Sequence, residues 1–159
     1  MDTSFYVASH LLGYLAWRQG AGDTWVSSEE LGKSINTHSV VVRRVVSMLR
    51  SKGLIVTRRG AQGGCQLARP ARAISLADAF EAVMPPDASL INFGASDDSE
   101  CPVGRHIEAV LKEVVAESEA VFRKKLKQTS IEEFSDRVVQ RLTLEVACTP
   151  KSKRRSADA

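Results

Sequence analysis

Cysteine is scarce: Cys65, Cys101 and Cys148 are the three in a chain of 159 residues. An odd, widely spaced set does not build a disulfide framework, so a reducing cytoplasm is the expected compartment. Long apolar runs are also missing. No stretch of about 18 apolar residues occurs, so no membrane span is expected. The start, MDTSFYVASHLL, has neither a basic opening nor a small-residue cleavage site, so no secretory signal is expected. Histidine numbers three, and His10, His38 and His106 do not fall into a metal-ligand spacing. No nucleophile–base pair, carboxylate pair or metal cluster emerges, so neither enzymatic activity nor a metal is expected. No internal repeat is visible.

What is present is a globular composition with an uneven charge. Hydrophobic residues make up 43% and charged residues 26%, enough for a real core in one domain with an appended element. The net charge is only +3. Residues 1–72 carry ten Lys/Arg against four Asp/Glu, whereas residues 73–142 carry eight against thirteen. A basic first half on a nearly neutral chain is the electrostatic footprint of a nucleic-acid binder.

Periodicity then gives the elements. Phe5, Ala8, Leu12, Leu15 and Ala16 recur at helical spacing, and Gly20 and Gly22 close that helix. Trp25 and Val26 read as a very short strand. Ser27 and Glu30 have capping-box spacing and open a second helix, with Leu31 and Ile35 as its buried side. Asn36–Ser39 is a polar turn. VVVRRVVSMLRSK follows as a third helix ending at Gly53, with Val42, Val45, Val46 and Leu49 on one face and Arg43, Arg44, Ser47 and Arg50 turned elsewhere. Two helices around a tight turn form a helix-turn-helix pattern.

LIVTRR and CQLAR are two short strands around a glycine-rich turn, which makes the pattern a winged helix. A phosphate-binding loop is the rival reading of RRGAQGGC. It fails because a P-loop needs Gly-Lys-Ser/Thr opening a helix, and here a strand follows. Ser75 starts a further short helix, closed by Pro85-Pro86. Residues 87–101 form an acidic loop. Pro102 is expected to begin a long helix to about Gln128, with Ile107, Leu111, Val114, Val115, Val121, Phe122 and Leu126 on a broad apolar face. A last helix starts near Ser130. The fold class expected is mainly α with a small β-hairpin wing. Its parts are a winged helix-turn-helix over 1–84, an acidic sensor-type loop over 85–101, long helices over 102–142, and a disordered basic tail over 143–159 that contains KSKRR.

The run from Val26 to Pro70 resembles the Rrf-two (Rrf2) family of bacterial winged-helix regulators. The carrying features are the capped helix, the helix ending in L-R-x-x-G-L, and the wing RGxxGGxxLARP. ISLADAFEAV and CPVGRHIEAVLKEV extend the likeness, which covers about residues 4–142. The resemblance implies a homodimer, crossed through the long C-terminal helix, that binds a palindromic double-stranded operator as a transcription regulator, with repression the expected sense. That dimer interface would use Ile107, Leu111, Val114, Val121 and Phe122. Two departures matter. Members that hold an iron–sulfur cluster have three cysteines in the loop before the long helix, and here that loop has only Cys101. Cys65 stands where the family usually has an aromatic. The match is therefore to the cluster-free subgroup, and no cofactor is expected.

The DNA-binding candidates follow from the chemistry of the grooves. Ser39, Val40, Arg43, Arg44 and Ser47 lie at the start and outer face of the third helix. A recognition helix reads base edges mainly with its N-terminal residues, and arginine binds guanine bidentately. Arg58, Arg59, Gln62, Gly63 and Gly64 form the wing, where guanidinium suits the negative minor groove. The plainer readings are a solvated charged face and glycines that only serve the turn. Cys101 is a redox-sensing candidate at the start of the long helix, where amides and the helix dipole favour thiolate. Cys65 is a second candidate, or a packing residue. The two are hypothesised to approach across subunits. Alternatives are a small-molecule- or iron–sulfur-responsive regulator, and a winged-helix interaction module that does not bind DNA.

Overall fold

The computed structural model describes residues 3–22, 25–60, 63–85, 91, 101 and 103–148. Helix α1 (Ser4–Gly20) is central. It is followed by α2 (Ser28–Ile35), α3 (Ser39–Ser51), β1 (Ile55–Arg58), β2 (Gly64–Leu67) and α4 (Leu76–Val83). Two C-terminal helices complete the order, α5 (Gly104–Lys127) and α6 (Ile131–Cys148). The fold is mainly helical, with one small antiparallel hairpin and one long helix.

Helix α1 buries more than the stripe read from its sequence. Val7, Ala8, Leu11, Leu12 and Leu15 are all buried, because α3, α4, α6 and β2 all pack around this one helix. Leu31 and Ile35 of α2, Val42, Val45 and Leu49 of α3, and Leu54, Ile55 and Leu67 of the hairpin complete one contiguous core. Each such aliphatic side chain contributes roughly 1.5–3 kcal/mol on leaving water.

Serines cap three helices, α6 among them, where Ser130 Oγ accepts the Glu133 amide at 3.1 Å. The Ser27 hydroxyl accepts the Glu30 amide at 3.1 Å, as its spacing predicts. The Glu30 carboxylate does not complete the box. It accepts the Tyr14 hydroxyl at 2.7 Å and pairs with Arg18 at 2.7 Å, tying α2 to α1. The complete capping box is on α4, between Ser75 and Asp78.

The C-terminal half departs from the expected plan in one respect. Helix α5 is described from Gly104, with Val103 before it already in right-handed helical conformation, and the expected first residue, Pro102, lies outside the described residues. Helix α6 runs to Cys148, so the helical region extends past the expected end at 142. This helix packs along α1. Phe134 lies 3.1 Å from where a Cβ on Gly13 would be, so this glycine lets the two helices approach closely. Backbone bonds fix the α5–α6 corner to the start of α4: Leu76 N–H to Thr129 O at 2.9 Å, and Ile131 N–H to Ile74 O at 2.8 Å. Residues 86–90, 92–100 and 149–159, which hold most of the expected loop and tail, lie outside the described residues.

Candidate nucleic-acid interface

Asn36 makes the turn between α2 and α3 at φ 50°, a left-handed conformation that asparagine tolerates. Its residue type therefore sets how α3 leaves α2. With 3.6 residues per turn, Val42, Val45 and Leu49 point into the core, and Val40, Arg43, Arg44 and Ser47 take the opposite side. Val40 is 70% exposed at the first turn. An apolar β-branched residue left in water at a helix start suits contact with a thymine methyl.

The two arginines differ. Arg43 lies on the open face and donates to Ser39 Oγ at 3.0 Å, one turn earlier. Arg44 reaches back and donates to Ser4 Oγ at 2.7 Å, bracing α3 against α1. Sequence spacing could not separate these roles, since Ser4 is 40 residues away.

The wing pairs Ile55 with Leu67 and Arg58 with Gly64. Each glycine in its turn has a steric cause. Gly60 has φ 108°. A Cβ on Gly63 would lie 2.4 Å from the Arg58 carbonyl oxygen, and one on Gly64 would lie 2.4 Å from the Val26 carbonyl oxygen. The chain at Val26 and Cys65 exchanges two backbone bonds, of 2.9 and 2.8 Å, so the wing's return strand lies against the segment before α2. The expected short strand at Val26 is this bridge. Arg58 sits 4.6 Å above the Trp25 ring, a contact that the sequence reading missed and that supports the base of the wing. Arg59 is exposed at the turn. Gln62 lies outside the described residues. Val46 of α3, Ser27 and Ser28, and the wing residues Thr57, Arg58, Gly60, Gly63, Gly64 and Cys65 border one cleft of about 280 Å³, so helix and wing are neighbours.

The cysteines fall in opposite environments. Cys65 is buried, and burial pushes its thiol up from the ordinary value. Cys101 is exposed, and the backbone amides of Gly104 and Val103 pull its thiol down. The thiolate is the reactive form, so Cys101 is the more reactive of the two.

Among the described residues α5 buries none of its side chains. Ile107, Val110, Leu111, Val114 and Val121 are exposed. Phe122 is the exception to the expected seam: it meets Phe80 of α4 edge-on at 5.6 Å between ring centres, within the same chain. Among the described residues no helix is long and apolar enough to cross a membrane.

A helix-turn-helix with an exposed arginine-bearing third helix and an adjoining glycine-turned hairpin defines a winged-helix, DNA-binding transcription regulator. Residues 1–137 match the Rrf2 family model, described as iron-dependent transcriptional regulators, and the chain belongs to that family. It is similar to the HTH-type regulator YwnA of Bacillus subtilis, with 30% identity over 133 residues, 84% of this chain and 95% of that one. CymR of Staphylococcus aureus superposes with a TM-score of 0.58 at 25% identity, covering 84% of this chain and 96% of that chain. A transcriptional regulator from Lactobacillus plantarum shares the fold with a TM-score of 0.70 at 24% identity, covering 94% of this chain and 100% of its own. IscR of T. potens shares it at 0.62 and 20% identity, covering 100% of this chain and 93% of that chain.

The family's description raises iron. The donor set does not fit a cluster. The loop before α5 supplies one thiol, Cys65 is enclosed in the core, and no three His, Cys, Asp or Glu side chains converge among the described residues. We route no step through iron.

Proposed function

We infer that the protein is a cytoplasmic homodimeric repressor of a palindromic operator, with α3 in the major groove and the wing in the adjacent minor groove. The carrying observation is the exposed face of α3, with Val40 and Arg43, and an adjoining wing on which Arg59 is exposed. Arg44 contributes by holding α3 on α1, as well as by its charge. The uncovered apolar residues of α5 supply the dimer seam, since an apolar stripe of that length gains stability when a second copy covers it. The two-fold axis then sets the half-site spacing.

Signal input falls to Cys101. Its exposed, amide-stabilised thiolate is the group that an oxidant or electrophile meets first, and Cys65 serves as a packing residue. Modification would act by altering the relative affinity of two head arrangements for the operator. Selection of binding sites from a random duplex pool tests the reading. A two-fold symmetric site, with half-sites about one helical turn or a multiple apart, is expected. Recovery of no enriched sequence would identify an interaction module that does not read DNA.

A further inference from the structure

A second site lies on the opposite side of α1 from the core. Helices α1 and α6, with the end of α2, enclose a cavity of about 490 Å³. That volume is in the range of small-molecule pockets. The rings of Tyr6, Tyr14, Trp17 and Phe134 border it, and among the described residues no Lys, Arg, Asp or Glu does. Its polar atoms are few. His10 Nε2 lies 3.0 Å from Ser34 Oγ, joining α1 to α2, and Ser9 Oγ is buried with no hydrogen-bond partner. Burial lowers the His10 imidazole's pKa, so the ring is neutral at pH 7.

We propose that this cavity is an effector site for a neutral, planar aromatic molecule carrying one hydrogen-bonding group. The lining selects that class. Aromatic walls favour a flat ring system, and the lack of charge disfavours an ion, whose desolvation would go uncompensated. His10, Ser34 and Ser9 give the ligand's polar group partners. A helix of a second copy is a poorer occupant, because the aliphatic side chains of α5 would leave Ser9 Oγ unpaired. The site also has leverage. Ser34 precedes Ile35 and the left-handed Asn36 that aims α3, while α6 continues from the α5 corner. A ligand gripped by α1, α2 and α6 therefore biases the recognition helix against the dimer arm. This rests on the regulator reading above and adds its ligand class and site.

The test uses the full chain and 2-naphthol, read by fluorescence titration and by operator binding in fluorescence anisotropy. Saturable binding of one probe per chain is expected, with Kd on the order of 10–100 μM. Val139→Trp fills the cavity and weakens binding at least about tenfold. His10→Ala removes a preference for 2-naphthol over naphthalene of about tenfold. Occupancy shifts operator affinity about fivefold or more. A thermal melt accompanies each variant, and Ser34→Ala replaces Val139→Trp as the readout where the latter unfolds. Unsaturable binding beside intact operator binding overturns the proposal alone, as does saturable binding with unchanged operator affinity. Trp17 shielded from acrylamide in the dimer, with Val139→Trp yielding monomers, assigns the cavity to the second copy and overturns it. Loss of all operator binding in the unliganded protein refutes the regulator reading, and the effector claim with it.

Discussion

Gly64→Ala should loosen the wing without unfolding the protein. The added Cβ would lie 2.4 Å from the Val26 carbonyl oxygen and 2.7 Å from its carbon, where real Cβ atoms essentially never come within 3.0 Å. Both neighbours are backbone, so no side chain can swing aside. The strand must retreat by at least ~0.6 Å, which stretches the Val26–Cys65 bonds of 2.9 and 2.8 Å out of good geometry. Each is worth about 1 kcal/mol net, and exposing the edge of Cys65 adds to that, giving a loss of about 2–3 kcal/mol. For a chain of this size the midpoint of thermal melting should fall by about 5–10 °C. Calorimetry or circular dichroism reads the shift. Gly20→Ala is the control: its Cβ meets nothing within 4 Å and its φ is ordinary, so the melt should be unchanged or slightly raised. Operator affinity should fall with Gly64→Ala, because Arg58 and Arg59 lead into the displaced turn. A melt for Gly64→Ala that matches wild type would refute the close-approach argument.

Five further outcomes are expected. Arg43→Ala should cost about 1–3 kcal/mol of operator binding and relax base preference at one position, measured by anisotropy on substituted sites. Arg44→Ala should instead lower the melting temperature, since it removes the bond to Ser4. Iodoacetamide should label Cys101 in the folded protein with a pH midpoint below that of an ordinary thiol, and Cys65 only after denaturation, as peptide mass spectrometry would show. Leu111→Glu with Val114→Glu should yield monomers in sedimentation and abolish tight operator binding, because both side chains lie on the uncovered face of α5. Stability should also fall as the pH drops below the ordinary imidazole value of 6.5. The half-buried His10 has a folded pKa below its unfolded value, so the unfolded chain binds more protons there, and His10→Ala should flatten that part of the melt-versus-pH curve.

The winged helix was legible because its signals are local. Ser27 with Glu30, the valines of α3 and the glycine turn each declare themselves within a few residues. Gly63 and Gly64 showed where the chain must turn, but not that the Val26 carbonyl is what excludes a side chain. Long-range partners carried no such signal. Arg44 and Arg43 are adjacent and identical in type, and only the fold sends one to Ser4 and leaves the other on the open face. Nothing local named α1 as the partner of α6, so the cavity around His10 was invisible in the sequence. Phe122 shows the converse: it fits the stripe of α5 but is taken up by Phe80 within the chain.

The central claim is that a basic helix and wing bind duplex DNA through its phosphates and grooves. The most direct measurement is the association constant for the selected operator over 50–200 mM salt. Neutralised phosphates release counterions, and a footprint of 6–10 contacts predicts a loss of about 10³–10⁵ in affinity over that range. An affinity that stays flat across the same range would contradict the account.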